Sequence, residues 1–187
     1  HDRDRVVSAI QDLAPDTQFA DQDDVPGTGR ALEVGLESLP ADFDGVVVVL
    51  SGDVPLLDSG TIARMVEQHR HAKNQLTLLS AFVQEPAGFG RIVRSSGGDF
   101  DEIVEHKDAS EELLRISEIN AGVYAFDART VRQVLSRIDD SNSQREKYLT
   151  DAAKLIKADA GRIEAIAVTD PEIVQGINDR VQLAEAQ

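Results

Sequence analysis

The sequence predicts an α/β fold whose sheet is mostly parallel and carries an antiparallel hairpin insertion. Three observations point there. Segments with apolar residues at helical spacing alternate with short β-branched runs. One run, Gly45-Val46-Val47-Val48-Val49-Leu50, is apolar without alternation, as a strand covered by helices on both faces is. After Pro86 the texture turns polar, and Gly97-Gly98 separates two short strand-like segments.

Val6, Ile10 and Leu13 mark a first helix, and Leu32, Gly35, Leu36 and Leu39 a second that opens after Gly27-Thr28-Gly29. The valine run is then the central parallel strand. Ile62, Met65, Val66 and His69 give the i, i+3, i+4, i+7 stripe of a crossover helix, and residues 76–83 a second buried strand, which together complete one βαβ unit. Residues 91–94 and 102–106 form the hairpin. Residues 117–126 are a third long strand, and Asp127 is placed to cap a helix bearing Val131, Val134, Leu135 and Ile138. A helix over 149–158, a strand over 162–168 and a closing helix from about Asn178 complete the chain. With no internal repeat or low-complexity linker, residues 1–187 are expected to form one domain. The front is out of pattern: an α/β nucleotide-binding domain ordinarily opens on a strand and a Gly-rich loop, whereas this chain opens inside a helix. A segment upstream is expected to be missing.

The charge balance narrows the partners. Across 187 residues, 19 Lys+Arg stand against 34 Asp+Glu, a net charge of −15. Such a surface repels phosphodiester backbones and anionic membranes, so neither nucleic acid nor membrane is an expected partner. No apolar run nears the roughly 20 residues of a spanning helix, and the first residues are not a signal peptide, so a cytoplasmic location is expected. The absence of cysteine excludes disulfides, thiolate metal sites and a cysteine nucleophile. His1, His69, His71 and His106 lack zinc-ligand spacing, and no Ser-His-Asp or paired-carboxylate arrangement is legible.

The residues that could carry chemistry lie in loops and strand ends. Ser51-Gly52-Asp53-Val54-Pro55-Leu56 follows the valine strand, and open α/β sheets bind ligands beyond the carboxyl ends of their strands. Asp53 is therefore a candidate ligand for a hard divalent cation such as Mg²⁺, while Ser51 and Gly52 let a ligand approach the backbone; Asp53 could equally cap a turn before Pro55. Gly27-Thr28-Gly29 is either a close-approach loop at a helix N-terminus or a turn with Thr28 as helix N-cap. Gln22 carries an amide able to read a base edge or to sit on the surface. Gly90 and Glu105 are either hairpin-corner and strand residues or site residues. Asn120, an amide inside an apolar strand, needs either a ligand or a structural partner. Asp21, Asp23 and Asp24 read as solvated loop, His69 as a packed histidine and His106 as a loop residue.

Seven segments taken together resemble the uridylyltransferase domain of the bacterial bifunctional N-acetylglucosamine-1-phosphate uridylyltransferase/glucosamine-1-phosphate acetyltransferase family. They are Gln22 with Gly27-Thr28-Gly29, Ser51 to Leu56, Gly88-Phe89-Gly90-Arg91-Ile92, Ile103 to Ala109, Glu118 to Tyr124, Tyr148-Leu149-Thr150-Asp151 and Gly176-Ile177-Asn178-Asp179-Arg180. The resemblance implies a Rossmann-like (GT-A-like) nucleotidyltransferase fold of three layers. It implies that Gln22, Gly27 and Thr28 hold the uracil of UTP, and that Asp53 and Asn178 coordinate Mg²⁺ with Ser51 and Gly52 lining the nucleotide-sugar site. Gly90, Glu105, Asn120 and Thr150 are implied to bind the N-acetylglucosamine ring. The implied reaction joins UTP and N-acetylglucosamine 1-phosphate into UDP-N-acetylglucosamine, a cell-wall precursor, with release of pyrophosphate. The parent protein is implied to be a homotrimer. The family's opening strand, its Gly-rich loop with a catalytic arginine, a nearby phosphate-binding lysine and the C-terminal acetyltransferase β-helix do not appear, so this chain alone is expected to be a very poor catalyst. Arg30 stands where a histidine often follows the glycine, and Asp179 where a second asparagine is usual. Two alternatives remain open: another sugar-1-phosphate nucleotidyltransferase, and a non-catalytic nucleotide-sugar binding module.

Overall fold

A computed structural model describes residues 3–177 and 184 of the chain. Helices α1 (Arg3–Leu13), α2 (Thr28–Leu36), α3 (Ser59–Ala72), α4 (Ala128–Leu135) and α5 (Asp151–Ala158) are interleaved with strands β1 (Val46–Val49), β2 (Leu76–Phe82), β3 (Arg91–Arg94), β4 (Phe100–Val104), β5 (Glu118–Asp127) and β6 (Ile163–Ala167). The strands form one six-stranded sheet in the order β4-β3-β5-β2-β6, with β1 also on β5. None of the described helices is long and apolar enough to cross a membrane.

Strand β5 is the spine of this sheet. One edge pairs with β2; the other pairs with β1 at Tyr124–Asp127 and with β3 at Ile119. All these pairings are antiparallel, and among the described strands only β2 and β6 pair in parallel. The sheet is thus mixed rather than mostly parallel. Strands β1, β2 and β6 do run the same way, but β5 lies between β1 and β2 and runs against both. Composition could not reveal this, because β5 is apolar on both faces just as a buried parallel strand is. The valine run is also less central than expected: its only partner among the described strands is β5, and all four residues are half-buried.

Alternation along β5 divides the core into two faces. Tyr124 and Phe126 pack with Leu76, Leu78 and Ile92 beneath α2, α4 and α5. Val123, Ala125 and Ile119 pack with Leu79 and with Met65 of α3 on the opposite face. Helices on both sides of the sheet give the three layers. The helix caps fix the entry angles: Asp58 accepts from the Thr61 N–H at 2.9 Å, and Asp127 accepts from the Thr130 N–H at 2.8 Å, as the sequence predicted for Asp127. His69 is a packed histidine, 3% exposed, with Nδ1 3.0 Å from the Thr77 hydroxyl.

Two features depart from the sequence reading in ways that matter for the site. In β5, residues 121–123 bulge opposite the single residue Leu79 of β2, and Gly122 adopts φ +71° at the crest; bulges re-aim the side chains that flank them. Helix α1 forms where expected, yet none of its residues is buried, and its apolar stripe is left partly exposed, with Val6 51% and Leu13 86% exposed. The expected closing helix from about Asn178 lies outside the described residues apart from Ala184, which is helical.

Candidate functional site

The site assembles where the hairpin, the β5 bulge and the start of α5 meet. Gly90, just before β3, accepts a hydrogen bond from the Asn120 N–H at 2.9 Å. A side chain at Gly90 could not be accommodated without displacement: its Cβ would lie 3.3 Å from Ile103 and 3.5 Å from Glu105 Oε2. Glu105, one residue beyond β4, accepts from the Thr150 hydroxyl at 2.7 Å through Oε1. Thr150 occupies the N-cap position of α5 yet makes no side-chain capping bond; its hydroxyl serves the carboxylate instead of the helix. Gly90, Glu105, Asn120 and Thr150, spread over 60 positions of sequence, therefore share one cluster.

The electrostatics of the cluster follow from burial. Partial burial pushes the Glu105 carboxyl above the usual carboxylate range; the Thr150 hydrogen bond opposes this, and Asp108 and Asp151 reinforce it. Beneath it, the Tyr124 hydroxyl is pushed up by burial, against the hydrogen bond from Asn120. A cleft of about 470 Å³ opens beside Glu105 and Thr150, lined also by Asp108, Tyr148 and Asp151. Asp53 and Asn120 lie outside that cleft.

The Gly27-Thr28 loop reaches the same cluster through residues 147–150. Gly29 N–H donates to the Lys147 carbonyl at 2.8 Å, Lys147 N–H to the Pro26 carbonyl at 3.0 Å, and Leu149 N–H to the Thr28 hydroxyl at 3.2 Å. Gly27, at φ +114°, has no room for a side chain: a Cβ would overlap the Lys147 carbonyl and sit 2.6 Å from the Lys147 nitrogen. The N-cap of α2 is Gly27 and not Thr28, because Thr28 directs its oxygen to Leu149. Gln22 donates its amide to the carbonyls of Val25 (2.7 Å) and Gly27 (3.2 Å), so it shapes this loop from within. The acidic residues nearby are paired rather than simply solvated: Asp23 holds Arg30, which also reaches Glu33, and Asp21 holds Arg3.

On the other side of the bulge, Ser51, Gly52 and Asp53 are exposed beyond the carboxyl end of β1. A Cβ on Gly122 would lie 3.7 Å from Ser51, which places the bulge against this loop. The Asp53 carbonyl accepts from the Ile177 N–H at 2.8 Å, and its carboxylate makes no hydrogen bond or ion pair among the described residues. It does not act as the turn cap that the sequence also allowed. Asn178 and Asp179, which follow Ile177, lie outside the described residues. No group of three or more His, Cys, Asp or Glu among the described residues could hold a metal by itself. Chemically, the arrangement offers a carboxylate acceptor at Glu105, an amide at Asn120, open backbone at Gly52, and at Asp53 a hard-oxygen donor with no partner among the described residues. Tyr124 and Gly122 went unread in the sequence. A tyrosine in an apolar strand, four residues after an asparagine on the same face, was the available signal.

Residues 1–168 match the family described as Nucleotidyl transferase. The chain belongs to the nucleotidyl transferase family. This nucleotidyl transferase is 58% identical over 186 residues to the Bifunctional protein GlmU of Clavibacter sepedonicus, covering 100% of this chain and 38% of that relative. It is 50% identical over 186 residues to the Bifunctional protein GlmU of Leifsonia xyli subsp. xyli, again 38% of that protein. The chain thus spans about two-fifths of the length of these relatives, in agreement with the family that its motifs resemble. The fold is similar to that in the crystal structure of UDP-glucose pyrophosphorylase complexed with UDP-glucose, at a TM-score of 0.64 and 16% identity over 90% of this chain and 65% of that one. The nucleotidyl transferase fold is thereby the Rossmann-like α/β fold expected, with a mixed sheet.

Proposed function

We propose that this chain is the uridylyltransferase domain of an enzyme that forms UDP-N-acetylglucosamine and pyrophosphate from UTP and N-acetylglucosamine 1-phosphate. The observation that carries the reading is the convergence of Gly90, Glu105, Asn120 and Thr150 into one cluster, tied through residues 147–150 to the Gly27-Thr28 loop and across the bulge to Asp53. A sugar ring lies near Gly90, whose missing side chain lets Ile103 and Glu105 close up against its backbone. Glu105, with Oε1 held by Thr150, presents Oε2 as an acceptor for a ring hydroxyl or amide N–H, and Asn120 supplies a donor. The uracil lies along Gln22, Gly27 and Thr28, in a loop whose shape the Gln22 amide maintains.

In the reaction a phosphate oxygen of the sugar phosphate attacks the α-phosphorus of UTP. The new P–O bond forms as the bond to the β-phosphate oxygen breaks, and pyrophosphate leaves. Catalysis of this kind rests on positioning and charge neutralisation. The chemistry of the donors fits Mg²⁺: Asp53 is an exposed hard-oxygen carboxylate with no cation partner among the described residues, held at its backbone by Ile177, and Asn178, which lies outside the described residues, would be the second ligand. When bound there, Mg²⁺ supplies charge neutralisation for the phosphates. The chain's own residues fix the two substrates relative to each other.

Calorimetric titration of the chain with UDP-N-acetylglucosamine and Mg²⁺ tests this. Saturable binding is expected, stronger than for UDP-glucose and lowered at least tenfold in Asp53→Ala, the scale of a lost charged contact. A folded chain that binds neither nucleotide sugar overturns the assignment, and equal or stronger binding of UDP-glucose overturns the sugar.

A further inference from the structure

We propose that Tyr124 is a positioning residue that sets the sugar specificity of the site by fixing the side-chain amide of Asn120; this rests on the reading of Asn120 as a sugar contact. Asn120 Oδ1 accepts from the Gly122 N–H at 3.2 Å, and Asn120 Nδ2 donates to the Tyr124 hydroxyl at 2.7 Å. The two bonds together define the amide. A backbone N–H can only donate, so the atom facing Gly122 is the oxygen, and the atom facing Tyr124 is the nitrogen. With one proton on Tyr124, Nδ2 keeps one proton, and Oδ1 keeps one lone pair, for a ligand.

The bulge makes this arrangement possible. Residues 121–123 loop out of the pairing with β2, Gly122 turns over at φ +71°, and its N–H swings back onto the Asn120 side chain. Tyr124 is the first residue after the bulge to resume the pairing, opposite Leu78, and it is only 6% exposed, packed in the core with its ring 5.7 Å from that of Phe126. Its hydroxyl is thus a fixed point attached to the core, and Asn120, at the rim, is oriented from it. Without that hydroxyl the amide keeps one anchor and can rotate about it, so the donor offered to the sugar is no longer set.

The test compares binding of UDP-N-acetylglucosamine and of UDP, which lacks the sugar, to the native chain, Tyr124→Phe, Asn120→Ala and the double variant. Phenylalanine preserves the ring and its packing. Tyr124→Phe is expected to bind UDP-N-acetylglucosamine about five- to tenfold more weakly, the scale of one neutral hydrogen bond, with UDP unaffected. In the Asn120→Ala background the same substitution is expected to change nothing, since the group that it orients is gone. An equal loss for UDP and for UDP-N-acetylglucosamine, no loss at all, or an undiminished loss in the Asn120→Ala background overturns the role of Tyr124 while leaving the sugar site standing. A native chain that does not prefer UDP-N-acetylglucosamine over UDP overturns the sugar site itself, and Tyr124's role with it.

Discussion

Glu105, the sugar acceptor proposed above, illustrates how a buried carboxylate can cost stability. Its carboxyl is pushed up chiefly by burial, so the folded chain holds the proton to a higher pH than the unfolded chain does. Between the ordinary glutamate value and the raised one, the native state binds more protons, and stability falls as pH rises. The favourable contribution of the protonated form is complete below the ordinary value and lost above the raised one. Glu105→Gln, uncharged throughout and still able to accept from Thr150, is therefore expected to raise the neutral-pH Tm by about 2 °C. It should also flatten the decline of Tm across the weakly acidic range and weaken UDP-N-acetylglucosamine binding. Melting curves at several pH values check this; a lowered neutral Tm would show that the carboxylate is stabilising in place. Little of this was legible residue by residue. Asp53 and Asn120 stood out because a carboxylate at a strand end and an amide in an apolar strand each need a partner, whereas Glu105, Gly90 and Thr150 look ordinary until the fold brings them together.

At the scale of elements, the legible parts are those whose cause is local. Asp127 was readable as a cap because it precedes the apolar stripe of α4, and its Oδ1 accepts both from the Thr130 N–H and from the Thr130 hydroxyl at 2.7 Å. Asp127→Ala is expected to cost about 1 kcal/mol in urea unfolding with an unchanged m-value. Ligand affinity should not move, since the cap lies at the far end of β5 from Asn120; a loss of affinity without a loss of stability would contradict the placement. The direction of β5 and its bulge were not legible, because both depend on partners remote in sequence. Alternation carries past the bulge: Asn120 and Tyr124 keep the same face, so the pattern reads as an unbroken strand. The alternative of Thr28 as a cap could not be decided for a similar reason, since nothing near it reveals that the Leu149 N–H arrives from the other half of the chain.

Across the whole molecule the dominant long-range term is the net charge of −15. Most described ion pairs are exposed, including Arg129–Asp44, Arg137–Asp159 and Lys157–Asp101, and such pairs add little. Self-repulsion of the acidic surface is the larger effect, and it is screened when the Debye length shortens from about 30 Å near 0.01 M salt to about 8 Å near 0.15 M. Tm is expected to rise over that interval by differential scanning calorimetry; a fall would mean that the ion pairs outweigh the repulsion. The same charge bears on a feature of the sheet. Strand β1 is four valines, half-buried and paired with β5 alone among the described residues. Among the described residues its second margin therefore meets no other strand, and such a margin is a template on which another extended segment can be laid down. Added salt, which screens the repulsion between acidic surfaces, also weakens what keeps other chains away from this margin.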